Sequence, residues 1–122
     1  MATEVIEKGD SILKTVRKMI GPSKECEVFD TDLIVHINTV FATLTQLGVG
    51  PDEGFEISDD TATWEDFIGD DKRFNAAKTY MYLKTRLLFD PPASSVVTAS
   101  MEKLALEYEW RLNVNAETYI IS

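Results

Sequence analysis

The chain has 122 residues, 44% of them hydrophobic, a formal net charge of −9 and a single cysteine. This length suits one domain with a modest core. No apolar run approaches the roughly 20 residues of a membrane span, and a lone cysteine excludes an internal disulfide. The anionic excess argues against sequence-specific DNA binding, which needs cations to displace phosphate counterions.

Residues 1–9 are charged, lack the apolar stretch of a signal peptide and are expected to be flexible. A helical core is predicted over residues 10–112, followed by a C-terminal extension over 113–122. Asp10 or Ser11 can cap a first helix carrying Ile12, Leu13, Val16, Met19 and Ile20, with Lys14, Arg17 and Lys18 on much of its other face. Gly21-Pro22 ends it. Cys26 stands between Glu25 and Glu27. These anions disfavour a thiolate, so a reactive thiol is not expected.

Asp30 or Thr31 is expected to cap a second helix. Leu33, Ile37, Val40, Leu44 and Leu47 form its seam, widened by Ile34 and Phe41. So broad a seam predicts a central helix touched on more than one side. His36 is the only histidine and lies four residues after Asp32. One histidine and one carboxylate make half a metal site, and no CxxC or HExxH accompanies them.

Gly48-Val49-Gly50-Pro51 closes this helix and opens a long acidic loop, with a short strand expected at Phe55–Ile57. No Lys or Arg occurs between Lys24 and Lys72, a window holding thirteen acids. Asp52, Glu53, Glu56, Asp59 and Asp60 mark its exposed part. Either they form a solvated surface, or they form a wall that lets DNA pass without sticking. Thr63 and Asp66 have the spacing of a capping box for a short turn with Trp64, Phe67 and Ile68. Asp70 or Asp71 is expected to cap the helix that follows.

That helix and the next read as a hairpin, YMYLKTRLLFDPPASSVVTASMEKLALEYEWRLN. Ala76, Tyr80, Leu83 and Leu87 share one face of the first, and Val97, Met101, Leu104 and Tyr108 share one face of the second. Asp90-Pro91-Pro92 forces a break near Phe89, and Ser94 or Ser95 can cap the restart. The predicted hairpin core is Tyr80, Leu83, Leu87, Met101, Leu104 and Tyr108. Beyond Asn113, Val114, Thr118, Tyr119, Ile120 and Ile121 have strand propensity without an obvious partner in the chain. The fold class is therefore all-α: a small bundle of four to five helices, a long acidic loop and an extended C-terminal tail.

The helix YMYLKTRLLFDPP, the serine-containing cap and the helix ending EYEWRLN resemble the small head–tail connector, or head-completion, proteins of long-tailed bacteriophages. The resemblance is clearest over Phe74 to Asn113. It implies a structural virion protein that assembles in the host cytoplasm. Copies would form a ring, commonly twelve, below the portal protein. The ring would extend the DNA channel and seat a stopper or the tail. It implies no cofactor, no membrane and no specific DNA contact. The C-terminal tail, Val114 and Thr118–Ile121, would meet the portal or a neighbouring subunit by strand addition. The other reading of the residues is a small cytoplasmic helical adaptor or regulator that binds a protein partner. No nucleophile–base pair, phosphate-cradling glycine loop or calcium loop appears, so an enzyme is not expected.

Overall fold

The computed structural model describes residues 7–20 and 29–121, with side chains up to Asn113. Gly21-Pro22, Cys26 and most of residues 1–9, expected to be a flexible N-terminus, lie outside the described residues. The described part contains five helices: α1 Ile12–Ile20, α2 Asp30–Gln46, α3 Trp64–Ile68, α4 Phe74–Phe89 and α5 Ser95–Ile121. They form a small all-helical bundle with a long loop between α2 and α3.

Local chemistry fixes several of the described boundaries. The Ser11 hydroxyl accepts the Lys14 amide at 3.2 Å and caps α1. Ile12, Leu13, Val16 and Ile20 are buried on the inner face of α1. At the start of α2, Asp30 is the first helical residue and Phe29 occupies the cap position without a side-chain bond. This corrects the expected Asp30 or Thr31 cap. Asp30 instead receives the Arg17 guanidinium through Nε at 3.2 Å and Nη2 at 2.7 Å. A bidentate charged pair is stronger than one neutral amide bond, and the carboxylate still sits favourably at the helix's positive end.

The end of α2 is a Schellman turn. Gly48 takes φ +84, its amide bonds Thr45 O at 3.0 Å, and the Val49 amide bonds Leu44 O at 2.9 Å. Val49 is buried as the accompanying apolar contact. The short strand expected at Phe55–Ile57 does not form. Ile57 pairs instead with the Asn38 side chain on α2: its amide donates to Oδ1 at 2.8 Å and its carbonyl accepts from Nδ2 at 2.9 Å. A side-chain amide thus replaces the missing neighbouring strand. Thr63 and Asp66 form the reciprocal capping box of α3. The returning chain is tied to the start of α1 by Ile12 N to Ala62 O, at 3.0 Å, and Trp64 N to Asp10 O, at 3.3 Å.

As its broad seam predicts, α2 is touched on more than one side, by α4 and α1, and α4 packs against α5, α2 and α1. The sequence of α4 supplies two apolar stripes. Phe74, Ala77, Met81 and Thr85 form one; Tyr80, Leu83 and Leu87 form the other. All but Leu87 are buried. The expected Asp70 or Asp71 cap of α4 is absent, and Arg73 stands at the cap position. Asp71 accepts the Arg73 amide at 2.8 Å and also holds its guanidinium. The chain breaks at Asp90 before the two prolines, and the Ser94 hydroxyl accepts the Val97 amide at 3.3 Å to start α5.

Two features of α5 differ from expectation. First, the helix continues through Ile121, so residues 113–121 are helical rather than an extended tail. Asn113-Val114-Asn115 has weak helix propensity, yet no Gly or Pro interrupts it, and Ala116 and Glu117 favour propagation. Second, Leu104 is not a core residue; it is 39% exposed. The face turned inward is Met101, Ala105, Tyr108 and Leu112, with Ala105 and Leu112 buried. Small Ala105 occupies the inward position, and Leu104, about 100° round the helix, is left at the rim. Leu83→Ala is therefore expected to cost about 2–5 kcal/mol. Leu104→Ala should cost about 0.5 kcal/mol or less. Denaturant unfolding of the two variants checks the order.

Candidate assembly surfaces

The loop that carries the acidic residues is anchored from within. Phe55 lies 5.1 Å from Phe41 and 5.3 Å from Phe67, and Phe41 lies 4.6 Å from Phe67, ring centre to ring centre. Such tilted and edge-on contacts add to the burial of the rings themselves. Gly50 has φ +86 and packs so closely on the Phe67 ring that a Cβ there would collide with it. The loop is thus pinned at Gly50, Phe55 and Ile57. Asp52, Glu53, Glu56, Asp59 and Asp60 are all exposed between and beyond these pins.

These acids are not equivalent. Asp59 accepts the Thr61 hydroxyl at 2.6 Å and the Thr61 amide at 2.9 Å. These bonds hold its carboxyl below the usual carboxylate range. Its first role is to shape the turn that returns the chain to α3. Asp60 stands 3.7 Å from Lys14, but both side chains are exposed and the pair is weak. Glu53 and Glu56 border an open groove whose other lining includes Asn38, Ala42 and Thr45 of α2, and Phe55.

The hairpin residues divide. Tyr80 and Leu83 are buried, Leu87, Met101 and Tyr108 are half-buried, and Leu104 is at the rim. The Tyr80 hydroxyl donates to Glu109 Oε2 at 2.6 Å, joining α4 to α5. Burial, and then this carboxylate, push the phenol well above its ordinary pKa, so it remains a donor. The Arg73 hydrogen bond holds the Asp71 carboxyl low. For the C-terminal residues Val114, Thr118, Tyr119, Ile120 and Ile121, the structure gives helical backbone; their side chains lie outside the described residues. His36 packs its ring edge-on to Phe89, 5.9 Å between centres. Among the described residues no group of three or more His, Cys, Asp and Glu is placed to hold a metal ion.

One surface was missed in the sequence. Val96, Ala99, Lys103, Leu106 and Trp110 are all exposed and follow one another at spacings of three, four, three and four. This interval defines a second stripe on α5, on the side away from the core seam. The signal was present in the sequence. It was obscured because a helix apolar on two faces has no single preferred side.

No curated protein and no solved structure matches this chain. A family model described as "Phage connector protein" matches residues 12–119, which takes in the described helices almost from end to end. The helical bundle fits such a structural virion component, and the chain belongs to the phage connector protein family.

Proposed function

We propose that this chain is the adaptor of the phage neck: copies form a ring below the portal, extend the DNA channel and seat the stopper or tail. The family match over residues 12–119 carries this reading, since it spans the whole helical hairpin rather than a local motif. The acidic loop supports it as the channel-facing surface, because anions repel a passing phosphate backbone. Twelve copies, the number common in such rings, is part of the proposal.

The C-terminal end of α5 is the portal contact in this reading. Because it is helical, its amide hydrogens are already bonded within the helix and its backbone is not extended, so it cannot add to a sheet edge. Docking is therefore by side chains in a groove, not by strand addition. Leu112 is buried and belongs to the bundle; the residues from Glu117 onward lie more than a turn beyond it. In phage lacking this chain, DNA-filled heads and free tails should accumulate. Purified full-length chain should restore joining. A chain ending at Ala116 should melt like the full-length protein but fail to join them. Heads that join tails without the chain would overturn the connector reading. Normal joining by the shortened chain would overturn only the C-terminal docking.

A further inference from the structure

We propose that the outer stripe of α5 in one copy seats in the acid-edged groove between α2 and the 53–56 loop of the next copy. The inference deepens the ring reading and rests on it for its biological setting. Leu106 and Trp110 are 65% and 68% exposed and lie four residues apart, so they form one apolar ridge. Lys103 and Arg111 flank that ridge, with Glu107 between them. The ring of Tyr108 lies under the Arg111 guanidinium at 5.5 Å, which steadies the cation beside the ridge.

The groove offers the matching features. Ala42 and Phe55 give it apolar surface, and Glu53 and Glu56 give it an anionic edge. That edge has no nearby cation in sequence, because Lys and Arg are absent from Glu25 to Asp71. Tryptophan and arginine are the residues most often found at the energetic centre of an interface. Opposite charges at the edge would set register and orientation. Pairing α5 with α5 of a second copy would leave Glu53 and Glu56 unmatched. Ridge and groove are different surfaces of the same chain, so their contact is head-to-tail. Such contacts close into rings when the rotation between copies allows it.

The test uses the full-length chain, mixed as isotope-labelled and unlabelled copies and treated with a zero-length carbodiimide, both in solution and after addition to heads. This reagent condenses a lysine amine with a carboxylate and takes up the released water as a urea. Peptides joining Lys103 of one isotope to Glu53 or Glu56 of the other are expected. Trp110→Glu should raise the concentration needed for half-assembly roughly tenfold or more, with helicity retained because the side chain is exposed. Lys103→Glu with Arg111→Glu should do the same, and adding Glu53→Lys and Glu56→Lys to that chain should restore assembly. Multimers that form without these cross-links, or that persist in Trp110→Glu, overturn the proposal. So does a Trp110→Glu ring that stays intact but no longer binds the tail, which would assign the ridge to another partner. Heads and tails that join through the chain without mixed cross-links sink this interface and leave the connector role standing. Mixed cross-links without joining do the reverse.

Discussion

Phe41→Ala should destabilise the protein by about 3–5 kcal/mol, the range for emptying a large aromatic site in a core. Phe41 is fully buried on α2 and contacts both Phe55 and Phe67. Its removal therefore does more than open a cavity in one helix. Phe55 belongs to the acidic loop and Phe67 to α3, so the ring is the point where three segments meet. The remaining ties of the loop are the Asn38–Ile57 pair and the close contact of Gly50 with Phe67. Neither compensates for the loss of apolar area. The expected result is a lower denaturant midpoint with an unchanged slope. Faster hydrogen exchange at Ile57 and its loop neighbours should appear before global unfolding. A variant that unfolds at the wild-type midpoint would show that the loop is held by its hydrogen bonds alone.

Much of the fold was legible because the chain carries strong local punctuation. Thr63 and Asp66 announced α3, Asp90-Pro91-Pro92 ended α4, and Gly48 terminated α2 as a left-handed cap. Each of these signals acts within a few residues. The misreadings arose where a long-range partner decided the outcome. Asp30 has the chemistry of a cap but is claimed by Arg17, thirteen residues earlier. Ile57 has the appearance of strand, but its partner is the amide of Asn38 on a helix. A sequence pattern shows the type of bond a residue favours, not which distant group will supply it.

The seam of α5 failed for a different reason. Positions 104 and 105 differ by about 100° around the helix axis, and both Leu104 and Ala105 are apolar. Residue size favours Leu104 as the core residue, whereas close packing against α4 selects the small one. The same ambiguity hid the outer stripe, since Leu106 and Trp110 are apolar too and spacing alone does not say which apolar face of α5 turns inward. Of the candidate surfaces, then, the acidic residues could be read directly, because charge needs no partner to be recognised. The ridge emerged only once the inward face was known.

Replacing Asp52 and Asp60 with lysine tests whether the acidic surface faces the DNA. These two are chosen because each is exposed and neither holds the loop together. Asp59 is left in place for its bonds to Thr61, and Glu53 and Glu56 for their position on the groove. The Lys14–Asp60 pair is lost, but between two exposed side chains it contributes about 0–1 kcal/mol. The fold should therefore survive, with a melting curve close to wild type. Each exchange replaces an anion with a cation. On a channel wall, each new cation that neutralises a phosphate adds about 0.9 to the slope of log affinity against log salt. With many copies around one duplex, the contributions accumulate. Assembled rings of the Asp52→Lys, Asp60→Lys chain should retain double-stranded DNA at 50 mM salt and release it at about 200 mM. Virions that incorporate this chain should eject DNA slowly and lose titre. If the changed rings ignore DNA at low salt and incorporated virions keep full titre, the acidic surface lies outside the channel. Its role would then be to keep neighbouring surfaces apart in solution.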